Sequence, residues 1–107
     1  MRNPVWNRKN FVEFINNLPS HKLVGRRIHP LENPYAKYLE SIGIESPFVS
    51  FVRTEYYDKH GNHRIKNHPR WLVCFLNDLI EEITDAEFVQ ARTVKRLLGI
   101  PVNLGGV

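Results

Sequence analysis

The sequence predicts an α+β fold, a single small domain of three to four helices packed on an antiparallel sheet built around a β-hairpin. Three observations carry this expectation. Apolar residues recur at helical spacing around Phe11, Tyr35, Leu72 and Val94. The block Phe48-Val49-Ser50-Phe51-Val52 is dense in strand formers. Behind it, Asp58-Lys59-His60-Gly61-Asn62 supplies turn chemistry before a second short extended run. A chain of 107 residues has room for one core, and 42% apolar and aromatic content is enough to build it without covalent staples. Residues 1–107 therefore read as one domain, with 1–7 and 105–107 expected to be loose.

Phe11, Phe14, Ile15 and Leu18 share one helical face, with Asn7 or Asn10 as the cap and Pro19 as the stop. Leu23-Val24-Gly25 reads as a brief strand. Asn33-Pro34 opens a second helix, since asparagine accepts an orphan amide and proline at the first position loses no hydrogen bond. Tyr35, Tyr38, Leu39 and Ile42 form its apolar face, and Gly43 ends it in a left-handed conformation. After Pro47 one strand is expected over 48–57, buried at its start and exposed at its end. Gly61 takes positive φ in the following turn, and 63–66 returns as the second arm, with Ile65 as its anchor.

Residues 69–83 carry the widest apolar arc, centred on Leu72, Phe75, Leu76 and Leu79, which predicts the central helix. Cys74 falls in the polar stripe of that helix, at the core boundary. Thr84-Asp85-Ala86-Glu87 has the form of a capping box, so a last helix is expected from there to Leu98, with a bend near 90–92. Gly99 and Pro101 end it. Residues 102–104 read as a short edge strand.

Composition excludes several classes. A lone cysteine, Cys74, allows no intramolecular disulfide and no cysteine-rich zinc site, which fits a reducing, cytoplasmic compartment. Met1-Arg2-Asn3-Pro4-Val5-Trp6-Asn7 lacks the apolar stretch of a signal peptide, and the apolar run 71–76 is too short to span a bilayer, so no membrane partner is expected. Fifteen lysines and arginines against eleven acids favour acidic partners without naming nucleic acid.

The order Phe14-Ile15, Pro19, Val24-Gly25, Pro34-Tyr35-Ala36-Lys37-Tyr38-Leu39, a Val-Ser strand, Trp71 and Ile83-Thr84 resembles a family of small bacterial proteins of unknown function. The likeness runs over roughly the first four-fifths of the chain and implies a small α+β fold. It carries no catalytic residue across. Where that family has a Cys-Pro-Leu-Ala-x-Tyr-Leu type segment, this chain has Asn33 before Pro34.

Four constellations bear on chemistry. His60, His63 and His68 with Asp58 have the residue types of a metal site, but exposed turn histidines are usually solvated, so no metal and no cofactor are expected. Cys74 with His68 would make a nucleophile and base only if they met. Cys74 lies well past the first helical turn, and His68 precedes that helix on another trajectory, so a packing cysteine is expected. Asp78, Glu81, Glu82, Asp85 and Glu87 read as a solvated stripe and a helix start rather than paired acid and base catalysts. Thr93-Val94-Lys95-Arg96-Leu97-Leu98 has the look of a recognition helix, though cations there also suit a helix C-terminus.

No catalytic residues emerge, and a non-enzymatic binding protein is the expected class. Its surface is the basic hairpin, where no acid occurs from Lys59 to Arg70. Tyr57, Lys59, Arg64, Lys66 and Arg70 are the candidate binding residues, facing an acidic protein surface. The alternatives are a nucleic-acid-binding regulator that uses the hairpin or the C-terminal helix, and a hairpin that only solubilises and guards a sheet edge.

Overall fold

The computed structural model describes residues 6–82 and 86–100, and these form an α+β domain of four helices and two small antiparallel sheets. Helix α1, Arg8–Asn16, begins where the Asn7 side chain accepts the Asn10 amide at 2.9 Å. Trp6 and Asn7, expected to be loose, are therefore placed: Trp6 lies against Tyr56, with ring centroids 5.4 Å apart. Residues 1–5 and 101–107, with the edge strand expected over 102–104, lie outside the described residues.

Strand β1, Leu23–Arg26, leads into helix α2, Pro34–Ser41. Asn33 does two jobs at its start, accepting the Ala36 amide at 2.9 Å and donating through its side-chain amide to the Val49 carbonyl at 3.2 Å. Gly43 follows at φ +100, as its place after the helix requires. Ile42, expected on the apolar face, is largely exposed.

The sequence points to one strand over 48–57, and the structure has two. Strands β2, Phe48–Val49, and β3, Arg53–Tyr57, pair antiparallel around a tight turn. Strand β4, His63–Asn67, completes the second hairpin, giving sheet order β2-β3-β4. Helix α3, Arg70–Glu81, buries Leu72, Phe75, Leu76 and Leu79, the four residues its period selects. Ile83 lies outside the described residues, and Cys74 is exposed rather than at the core boundary.

The largest departure is at the C-terminal end. Phe88–Gln90 is a strand, β5, and helix α4 spans Ala91–Leu97. Thr84 and Asp85 lie outside the described residues, but Glu87 is not helical and its carboxylate meets Arg26 at 2.8 Å. No side chain caps α4. Its first amides donate instead to the neighbouring loop, Ala91 to the Lys22 carbonyl at 2.7 Å and Arg92 to the Ser20 carbonyl at 2.8 Å.

Strand β5 pairs antiparallel with β1 in a register that slips between Leu23 and Arg26, a bulge that contains Gly25. Gly25 has φ +86, and a Cβ there would stand 2.0 Å from the Glu32 carbonyl oxygen. Among helices α1, α2 and α3 the core is aromatic. Phe11 sits at its centre, with ring centroids 5.1 Å from Tyr35, 5.6 Å from Tyr38, 5.5 Å from Phe75 and 6.0 Å from Trp71.

Candidate functional site

Register fixes which side chains of the basic hairpin share a face. Tyr57 lies opposite His63 and Glu55 opposite Ile65, and these point outward; Tyr56 lies opposite Arg64 and Thr54 opposite Lys66, on the face that carries buried Thr54 and Val49. The alternation expected for β4 therefore holds, but its sense relative to the core is reversed. Ile65 is 56% exposed and anchors nothing, because β4 is an edge strand that overhangs the core.

All five residues of β4 are exposed. Backbone bonds from His68 N to Val52 O, at 2.8 Å, and from Asp58 N to Asn62 O, at 2.9 Å, mark the two ends of its ladder with β3. Counting by twos between them, Arg64 and Lys66 bond to β3, while the backbone groups of His63, Ile65 and Asn67 face the open edge.

The candidate residues are strung along this edge rather than gathered at a point. Lys59 stands in the turn, Arg64 and Lys66 on the strand, and Arg70 at the first position of α3. Tyr57 is on the outer face, tilted against His63 with centroids 5.4 Å apart. Arg64 is not a free cation, since its Nε meets the Asp58 carboxylate at 2.9 Å. That carboxylate also accepts the amides of Asn62 and His60, and its pKa is held down to about 2, chiefly by the Asn62 amide. On the outer face Glu55 serves both His63, at 3.2 Å, and Arg53, at 3.6 Å. Lys59, Lys66 and Arg70 have no acidic partner among the described residues.

Beside the turn lies a cleft of about 910 Å³ between residues 42–46 and the hairpin, where Trp6, Ile44, Tyr56 and Tyr57 meet Glu45 and Lys59. Sequence reasoning missed it because Trp6, 50 residues from Tyr56 in the chain, reaches it only through the start of α1.

Among the described residues the rival constellations do not assemble. The Asp58 carboxylate is occupied by the turn, and among the described residues no group of three or more His, Cys, Asp or Glu is placed to hold a metal ion. His68 has both ring nitrogens engaged, Nδ1 with the Phe51 carbonyl at 3.0 Å and Nε2 with the Thr54 hydroxyl at 2.7 Å, so it offers no base to Cys74. Burial lowers its pKa. Glu82 pairs with Arg96 and Glu87 with Arg26, which disperses the acidic cluster. On α4, Lys95 is buried with its ammonium on the Leu18 carbonyl at 2.8 Å, leaving Arg92 as that helix's exposed cation without an acid among the described residues. No described helix is long and apolar enough to cross a membrane. Compared with known proteins, the chain matches no family, no curated sequence and no solved structure, and its chemistry is read from its own residues.

Proposed function

We propose that this is a non-enzymatic, cytoplasmic binding protein that holds an acidic protein surface along the basic hairpin. The residues in contact are Tyr57, Lys59, Arg64, Lys66 and Arg70. One observation carries the reading: β4 is an open edge with every residue exposed, and three cations on or beside it have no acid to satisfy them among the described residues. Cations left in this way attract carboxylates without first breaking an internal pair. Arg64 orders the turn through Asp58 and adds to the local field only in part. The C-terminal helix is the weaker candidate surface, because Lys95 and Arg96 are spent inside the molecule.

The test is an NMR titration of the labelled protein with an oligoglutamate peptide at about 20 and about 200 mM salt, run beside a short DNA duplex. Shifts should concentrate at the amides of 59–70, shrink at the higher salt and vanish in the triple variant Lys59→Glu, Lys66→Glu, Arg70→Glu. That variant should stay folded, since all three positions are exposed and a carboxylate at the start of α3 suits the helix dipole. An unchanged response in the triple variant, or no response at low salt, overturns the proposal. Steeply salt-dependent DNA binding without any response to the peptide replaces it with nucleic-acid recognition.

A further inference from the structure

We propose that the acidic partner docks as an additional β-strand along β4, through an extended segment that alternates acidic and apolar residues. This rests on the hairpin reading above and specifies the partner's conformation and pattern. The backbone groups of His63, Ile65 and Asn67 face outward from a sheet whose other side is already covered, since the Val49 amide on β2 donates to the Pro30 carbonyl at 2.9 Å. Unpaired donors and acceptors at strand spacing are what an extended chain recognises.

Side-chain alternation then sets the pattern. A strand laid beside β4 would meet Arg64 and Lys66 on one face, and on the other His63 and the exposed apolar side chain of Ile65, with Tyr57 behind His63 and the Glu55 carboxylate behind Ile65. Carboxylates fit the first row and apolar side chains the second.

The same edge argues against a second copy of this chain as the occupant. Antiparallel pairing of two β4 strands about Ile65 would set Arg64 of each chain, already paired with its own Asp58, opposite Lys66 of the other, bringing two lysines with no acid among the described residues onto one face with two arginines. Charge therefore selects an acidic strand over self-association.

The experiment uses a short peptide alternating glutamate and valine, and the same peptide N-methylated at the amides that would face β4. Charge and side chains are retained, while each methylated amide loses its donor and carries a methyl group toward β4. Each is titrated into the labelled protein, and amide exchange is followed in the saturated complex. The unmodified peptide should bind at least about tenfold more tightly than the methylated one, as the loss of two or three hydrogen bonds requires. Exchange at His63, Ile65 and Asn67 should slow on binding, while Arg64 and Lys66, already bonded to β3, should change little. Equal affinity of the two peptides, or unchanged exchange at the three outward amides, overturns strand addition and leaves the basic-hairpin reading to stand on oligoglutamate. If neither these peptides nor oligoglutamate bind, both proposals fall.

Discussion

His68 explains how a strand turns back where Ser50 alone supplies turn chemistry. Residues 50–53 lack glycine, proline, asparagine and aspartate, and their turn closes on Ser50, whose amide and hydroxyl both reach the Arg53 carbonyl. What holds the turn against the sheet is His68, through its own amide to Val52 O, its Nδ1 to Phe51 O and its Nε2 to the Thr54 hydroxyl. A carbonyl only accepts, so Nδ1 carries the proton and neutral Nε2 receives the threonine hydrogen. Burial makes the neutral ring the preferred form and lowers the pKa from its ordinary 6.5. With the folded value below the unfolded one, the stabilisation is present above 6.5 and is lost as pH falls through the folded value. The melting temperature should therefore drop between pH about 7.5 and about 5, and a His68→Gln protein, less stable at the higher pH, should lose much of that dependence. Equal pH slopes in the two proteins, followed by circular dichroism, would count against this role.

The elements that were legible in the sequence are those whose ends are settled locally. Helices α1 and α2 have their caps in Asn7 and Asn33-Pro34, and α3 is declared by its apolar period. The elements that were not legible take their hydrogen bonds from far along the chain. Helix α4 opens on the carbonyls of Ser20 and Lys22, and β5 exists because β1 is there to pair with it, so the local capping-box pattern at 84–87 misleads. Strand β4 was half legible: alternation gave its two faces, but its place at the edge, which leaves Ile65 exposed, depends on the whole sheet. The candidate site shares this limit, since a charge count starting at Lys59 excludes the acid, Asp58, that pairs with Arg64. Two substitutions probe the long-range contacts. Gly25→Ala should cost about 2 kcal/mol or more in chemical denaturation, because the residue is left-handed and its Cβ would overlap the Glu32 carbonyl. Lys95→Met keeps the stem but strands the Leu18 carbonyl, and should cost about 1–3 kcal/mol. A loss under half of about 1 kcal/mol in either would show that the neighbouring backbone relaxes freely.

Across the whole molecule, an elongated body of 46 × 30 × 22 Å, the two sheets divide the work. The β1–β5 ribbon ties the first third of the chain to its last part, while the three-stranded sheet extends an edge that nothing in the fold requires to be so cationic. Helices α1 and α4 pack together and are joined at both ends: Arg8 donates to the Leu98 carbonyl and Lys95 to the Leu18 carbonyl, so each helix supplies a cation to a carbonyl at or just past the other's C-terminal end. Removing residues 91–107 should therefore abolish cooperative unfolding rather than weaken it by one helix, and a sharp two-state transition in that truncated protein would contradict the arrangement. The same reciprocal clamp has a bearing on biosynthesis. A ribosome-bound chain arrested short of residue 90 has no complete partner for β1, and one arrested short of residue 98 leaves Arg8 without its acceptor, although α1 emerges well before either. Helix α1 must wait, through the synthesis of 90 further positions, for the contact that completes it. Folding of this domain in the cell is thus tied to the synthesis of residues 88–98, and the aromatic face around Phe11 is exposed to chaperones until then.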